Sequence, residues 1–451
     1  MKLYKKITPK TAKGVFWLSF GLCLLGCFFI IFVVSPLTGL SKHFGKSHDG
    51  YIQLARSLSA GHGYVFEQDG PAVFHRPPFY PFLLVPIAFL PEFLQRPALI
   101  LMQSLMVGCI AAMIFQIAKR FFSLSTAAIA VIIFLVNPWV YWNAKNPMTT
   151  ITQGLLYTLF AILIGRQFLA MSDRYSTASD KTNLWTNSLV TGIAAAALAL
   201  THGAMIAVNF ILLFVLFITG AVRKNFRAVK TAIITGIIMA ALVAPWTYRN
   251  WAVFGRFIPV TGGSGVAYFN GNTHWNNIIE EPQRKGETHI DASLRVVGIE
   301  GTEASHTHWK GLKDIDIEEM VNKKMADDIR SHPAAFVKKM SLNAVEYYFP
   351  TLTYSFLAVR GFSLKKLAIT IFNLLLWTLA LTGICRNQKD AESKLGVRLM
   401  LVAIVLYAIW FFPFATFIGH SLYTFATVPF LSILAANGIT SLRLDDPLKQ
   451  D

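Results

Sequence analysis

Residues 14–34 read GVFWLSFGLCLLGCFFIIFVV, an uncharged apolar run 21 residues long. As a helix it is about 30 Å long, enough to cross the hydrocarbon core of a bilayer. Lys2, Lys5, Lys6, Lys10 and Lys13 precede it, but it is longer than a signal-peptide core and lacks a clear small-residue cleavage site, so it reads as a retained helix. Comparable runs recur along the chain. Spans are expected at about 14–36, 97–118, 123–141, 148–166, 186–201, 204–222, 229–247, 366–385, 397–416 and 424–440. The fifth and sixth meet near Thr201-His202-Gly203 and also read as one broken helix and its neighbour. The expected fold class is an all-α polytopic membrane protein with about ten transmembrane helices and two large extracytoplasmic loops.

Composition supports this class. Hydrophobic residues make up 54% of the chain and charged residues 14%, with mean hydropathy +0.49. A soluble domain carries about 25% charged residues. The net charge of +17 raises nucleic acid as a partner, but the cations gather in short inter-span segments. Lys119 and Arg120 form one such group, Arg223, Lys224, Arg227 and Lys230 another, and Arg386, Lys389, Lys394 and Arg398 a third. That is the positive-inside pattern, so no nucleic acid is expected and both termini are placed in the cytoplasm. Residues 1–247 then form an N-terminal membrane module carrying loop one (about 37–96). Residues 248–365 form a second outer loop region, and 366–451 the C-terminal helices. Cys23, Cys27, Cys109 and Cys385 lie in or beside apolar spans, so neither a disulfide nor a zinc site is expected. The spans hold almost no ionisable side chain except His202 near a span end, which argues against a secondary transporter.

Polar chemistry concentrates in loop one. Residues 41–66 read SKHFGKSHDGYIQLARSLSAGHGYVF and residues 76–82 read RPPFYPF. Leu54, Ala55 and Leu58 are at helical spacing and Gly61 is a natural stop, so Tyr51 to Ala60 is expected to be helical. Phe79 to Leu94, interrupted by Pro81, Pro86 and Pro91, is expected to form interfacial helices. Asp49 suits a helix N-cap and equally a general base that takes a proton from an attacking hydroxyl. Arg76 stands before the stiff Pro77-Pro78 pair, where it can snorkel at the interface or clamp a phosphate. Arg249, among the belt aromatics Trp246, Tyr248 and Trp251, is a second candidate phosphate ligand. His420 and Tyr423, in IGHSLYTFATVP (418–429), suit either an interfacial pair or a donor-phosphate contact and a substrate contact. His48, Tyr51, Tyr80, Tyr423 and Asn272 are the candidate substrate-binding side chains. The glycine-rich residues 261–265 and 270–272 read as turns. His306 and His308 lack metal-ligand spacing, and metal ligands are left unassigned.

Taken in order, the motifs are D-x-Y at 49–51, A-R-x-L at 55–58, G-x-G-Y at 61–64 and R-P-P-x-Y-P-x-L at 76–83. P-W-x-x-R-N-W at 245–251, F-G-R-F-I-P-V at 254–260 and S-H-P-x-x-F at 331–336 follow. This order resembles the GT-C class of membrane glycosyltransferases over nearly the whole chain. It is most similar to the bacterial branch of protein O-mannosyltransferases and lipid A aminoarabinose transferases.

The resemblance implies an inverting glycosyltransferase at the outer face of a bacterial inner membrane. A sugar on polyprenyl phosphate would be the donor, and a glycan, lipid A or a protein the extracytoplasmic acceptor. Asp49 corresponds to the loop-one acid of the class. Arg76, Arg249 and His420 would hold the donor phosphate. No cofactor is assigned, and a divalent cation is left open.

Three positions depart from the class pattern: Gly50 where an acid often follows the aspartate, Thr149, Thr150 and Gln153 where a second acid often opens the fourth span, and Leu422 before Tyr423 where Arg-Tyr is frequent. A lipid-linked glycan polymerase or ligase, a flippase for polyprenyl-linked sugars and a structural subunit are the alternatives.

Overall fold

The computed structural model describes residues 11–35, 50–171, 183–263, 304–305, 308–309, 314–348, 364–385, 390–411 and 424–444. These residues are mainly helical, with irregular segments at 60–78 and 255–263 and one pair of two-residue antiparallel strands, β1 (Ala304–Ser305) against β2 (His308–Trp309). Helix α1 (Ala12–Phe29) starts at Thr11, whose side chain accepts from the Gly14 amide, and continues through a π turn, Ile30–Val34. Its buried positions Val15, Ser19, Cys23 and Cys27 recur every four residues, which lays one stripe against α4 (Glu92–Phe121). Trp17, Leu25 and Phe32 on the other faces are exposed, as lipid-facing side chains are.

Between α1 and α4 lie α2 (Tyr51–Ser59) and α3 (Phe79–Ala88), the helical parts of loop one. The next span is bent. Helices α5 (Leu124–Val136) and α6 (Pro138–Ala144) meet at 57°. Asn137 caps the second through the Trp139 amide at 3.0 Å, and Pro138 has no N–H with which to continue the first. Then come α7 (Thr150–Ala170), α8 (Leu184–Thr201), α9 (Met205–Val222) and α10 (Phe226–Phe254). Helices α11 (Asp314–Ser331) and α12 (Pro333–Tyr348) belong to the second loop region, and α13 (Leu364–Cys385), α14 (Ala391–Phe411) and α15 (Val428–Leu444) close the chain.

Seven helices among the described residues are long and apolar enough to cross a membrane, or eight with the bent pair counted as one span. The chain is a multi-pass membrane protein. Helices α13 and α14 occupy the other two expected positions. Glu392, Lys394 and Arg398 load the first half of α14.

Several boundaries differ from expectation for local reasons. The second span starts at Glu92 rather than 97, directly after Pro91, and runs through Pro97 at the cost of one backbone hydrogen bond. The seventh runs on to Phe254 rather than 247, and Gly255, with φ 66°, ends it. The fifth and sixth spans are two helices, broken at His202, whose backbone is extended (φ −151°). In the second loop region α11 and α12 are separated at His332-Pro333.

The most buried span is the last, α15, which packs on both α13 and α5. Gly383 and Gly438 allow α13 and α15 to touch backbone to backbone: a methyl group at either would overlap the carbonyl of Leu434 or Leu379. Asn437 donates to the Gly383 carbonyl at 3.0 Å across that contact. Gln153 on α7 likewise donates to the Tyr407 hydroxyl on α14 at 2.9 Å.

Candidate active site

Loop one is built around Tyr64. Helix α2 begins at Gly50, in left-handed backbone (φ 70°), and the place of a side chain there is filled by the Phe66 ring. That accounts for the departure at position 50: an aspartate would meet both the ring and a disfavoured φ. Gly50, not Asp49, is the residue at the N-cap position. Helix α2 turns Tyr51 inward, edge-on to Tyr80 of α3 with ring centres 5.4 Å apart. The chain then passes Gly61 and Gly63, both at positive φ, and a single antiparallel bridge, Val65 to Ala72, brings residues 73–78 back beside Tyr64. The Tyr64 hydroxyl donates to the carbonyls of Arg76 and Pro77, at 3.0 Å each. This anchors the segment just before Pro77-Pro78, where backbone donors are missing.

Arg249 reaches the same place from α10. Its Nη1 donates to the Val73 carbonyl and to Asn250 Oδ1, both at 3.0 Å. Its guanidinium lies over Trp246, Phe254 and Tyr64, with 4.9, 5.2 and 5.6 Å to the ring centres. The chain after Gly255 folds back on this end of α10. Asn250 Nδ2 donates to the carbonyls of Ile258 and Val260, Trp246 Nε1 to Val260 at 2.8 Å, and Thr247 to Pro259 at 2.7 Å. The Gly262 amide then meets the Phe74 carbonyl at 3.3 Å. Arg76, whose guanidinium lies 5.8 Å from the Tyr51 ring centre, and Arg249 therefore share Tyr64 as their common neighbour.

Two guanidiniums, those of Arg76 and Arg249, lie at this end. Desolvation, with Arg76 adding to it, pushes His75 down to about 3 and His202 down to about 4. Both imidazoles are therefore neutral at neutral pH. Burial pushes the Tyr64 phenol well above its ordinary value, so it stays a donor. Among the described residues no carboxylate lies within ion-pair distance of Arg249; carbonyl oxygens and aromatic faces meet its charge instead.

Four of the nine sequence-predicted site residues, Tyr51, Arg76, Tyr80 and Arg249, are brought together here. His48, Asp49, Asn272, His420 and Tyr423 lie outside the described residues. Tyr80 is fully buried and Tyr51 nearly so, which makes both part of the wall behind Arg76. Sequence reasoning missed Tyr64, His75 and Glu318. Glu318 on α11 is a buried acid whose Cγ lies next to Gly262, and it accepts from Asn322 at 2.9 Å. Its spacing was the available signal: Ile315, Glu318 and Val321 recur every three residues, and all three are buried. Lys145, also missed, is buried at the end of α6 with its ammonium 4.2 Å from the Trp142 ring centre. Among the described residues no group of three or more His, Cys, Asp or Glu side chains is placed to hold a metal ion.

No protein-family profile and no curated protein sequence matches the chain. Solved structures do. The oligosaccharyltransferase AglB of Archaeoglobus fulgidus, in complex with an inhibitory peptide and a dolichol-phosphate, superposes with a TM-score of 0.53 at 12% identity, over 96% of this chain and 50% of that one. The same enzyme tethered to an acceptor peptide gives 0.54 at 12% identity, over 97% and 51%. The fold is GT-C-like. The chain spans about half the length of the archaeal enzyme. ArnT from Cupriavidus metallidurans, bound to undecaprenyl phosphate, is also similar, at 15% identity and a TM-score of 0.40 over 94% of this chain and 78% of that one. In this GT-C-like bundle the loop between the first two spans and the end of α10 thus meet at one membrane edge.

Proposed function

We propose that the protein is an inverting glycosyltransferase that moves a sugar from a polyprenyl-phosphate donor to an extracytoplasmic acceptor. The observation that carries this reading is Arg249: a half-buried guanidinium with no carboxylate partner among the described residues, sharing Tyr64 with Arg76. Two guanidiniums at a membrane edge suit a lipid-linked phosphate, and a rigid mounting suits the charge that develops on it as it leaves. Asp49, bonded directly to Gly50, is the general base for the acceptor hydroxyl. The C–O bond from the anomeric carbon to the phosphate breaks as the acceptor oxygen attacks the opposite face; Asp49 takes the proton and the lipid phosphate departs as an anion. His420 would add to the phosphate contacts, and His48, Tyr51, Tyr80, Asn272 and Tyr423 to those of the sugar and acceptor. Glu318 brings the second loop to the same edge, which supports an acceptor contact there. Ten crossings, with α13 and α14 counted, leave both termini in the cytoplasm of a bacterial inner membrane and this site outside.

The test is glycan analysis of cells carrying wild type, a deletion, or Asp49→Asn at matched membrane expression. One sugar should disappear in both the deletion and Asp49→Asn, with the polyprenyl-phosphate-linked sugar accumulating. Full complementation by Asp49→Asn would refute the base assignment and favour a flippase.

A further inference from the structure

The end of the bundle opposite loop one contains a cavity of about 480 Å³ between α4, α7, α9, α14 and α15. That is within the roughly 300–1,000 Å³ range of ligand pockets. Its walls are mainly apolar, and three cations, Lys119, Arg120 and Arg166, line its basic end. Tyr157 and Phe430, edge-on to each other at 6.0 Å, line it nearer mid-membrane. From Arg166 back to Tyr157 is nine helical residues, a depth of about 14 Å. That is close to half of a roughly 30 Å hydrocarbon core, the thickness of one leaflet.

The mouth is firmly held. Ser393 Oγ at the start of α14 donates to the Phe121 carbonyl at the end of α4, at 2.8 Å, and Gly396 packs against the Phe121 ring. Of the two described carboxylates at this end of α14, Glu392 is exposed and Asp390 is engaged in capping: it accepts from the Ser393 amide at 2.7 Å and from Ser393 Oγ at 2.8 Å. Among the described residues no ion pair joins Lys119 or Arg166 to a carboxylate.

We propose that this cavity binds one anionic phospholipid, its phosphate among Lys119, Arg120 and Arg166 and one acyl chain running inward to Tyr157 and Phe430. A small soluble anion would leave the apolar depth unfilled, and an uncharged lipid would leave Lys119 and Arg166 without an ion pair among the described residues. Basic pockets between membrane helices on the positive side of a bundle have this chemistry. The site is separate from the loop-one edge and does not depend on the transferase reading.

The experiment is native mass spectrometry of the full chain in detergent, titrated with an equal mixture of phosphatidylglycerol and phosphatidylcholine. Wild type should retain one phosphatidylglycerol in preference. Lys119→Gln with Arg166→Gln should cut that preference roughly tenfold or more. Gly165 lines the cavity, and a Cβ there meets nothing within 4 Å. Gly165→Leu therefore fills the site without touching its charges, and should abolish the retained lipid. Arg223→Gln with Lys224→Gln removes the same charge from an exposed cluster and should leave the preference intact. Equal losses from the 119/166 and 223/224 pairs would reduce the effect to surface attraction and overturn the site. So would unchanged retention in Gly165→Leu. Preferential saturation by undecaprenyl phosphate over phosphatidylglycerol would overturn the phospholipid assignment.

Discussion

Both ends of this bundle collect cations, and they hold them in opposite ways. At the loop-one edge Arg249 is tied to a backbone carbonyl and an amide oxygen and faced by three rings. At the other end Lys119 is exposed, and it shares the mouth of an apolar cavity with the half-buried Arg166. A guanidinium mounted in this way needs no reorganisation when charge builds on a leaving phosphate, which is what catalysis requires. A lysine on a flexible stem follows a headgroup wherever it sits, which is enough for anchoring. Residue type alone does not separate these roles; the number of bonds holding the side chain does.

The largest effect should come from breaking that mounting. Arg249→Gln is expected to lower sugar transfer from a polyprenyl-phosphate donor by roughly 10²–10³-fold. Arg249→Lys should recover only a small part, because an ammonium has neither the planar fork nor the stacking face. Transfer rates in membranes at matched expression measure both. The comparison between the two ends fails if Arg166→Gln costs as much as Arg249→Gln.

Tyr64→Phe keeps the ring and removes the hydroxyl. The carbonyls of Arg76 and Pro77 would then lose a buried donor, at a cost of about 1–3 kcal/mol. Hydrogen exchange should accelerate in residues 64–78 and stay unchanged in α13 and α15. Equal acceleration across the bundle would mean that Tyr64 supports the whole fold and not the Arg76 platform alone.

The bundle was legible because apolar length and basic flanks are set by the bilayer, and those constraints act on contiguous residues. The same signals could not find the bend at Asn137, where a cap and a proline act inside an unbroken apolar run. Arg76 and Arg249 were legible from polar residues standing among prolines and belt aromatics. Their shared neighbour was not. Tyr64 contacts Arg249 from 185 positions away in sequence, and no local pattern encodes that pairing. Gly50 read as a loss relative to the class pattern, yet the Phe66 ring makes glycine the residue that fits.

Near neutral pH a smaller effect should come from the two depressed histidines. His75 is held at about 3 in the folded protein against about 6.5 unfolded, so the unfolded chain takes up its proton first. Stability from this group is complete above about pH 6.5 and is lost as the pH falls towards 3, at no more than about 1.4 kcal/mol per pH unit. His202, held at about 4, acts in the same direction. Thermal midpoints of wild type should fall more steeply below pH 6.5 than those of His75→Gln, and the double variant with His202→Gln should be flatter still. Parallel curves would mean that neither imidazole is desolvated in the folded protein.

The smallest effect is expected seven residues beyond Arg249. Arg256 pairs with Glu319 of α11 at the same edge of the membrane, but both side chains are about half exposed, at 50% and 51%. The pair raises the Arg256 pKa, and this has no consequence at working pH, because an arginine is already fully charged there. Solvent and salt screen what attraction remains, and ordering two long side chains offsets much of it. Arg256→Gln should therefore leave the thermal midpoint within the scatter of replicate melts, at low salt and at high salt alike. Arg249→Gln, which strips a cation from three rings and a carbonyl, should lower it measurably. If the two substitutions cost the same, being near the second loop would matter more than being held, and the contrast between mounted and exposed cations would no longer distinguish the loop-one edge.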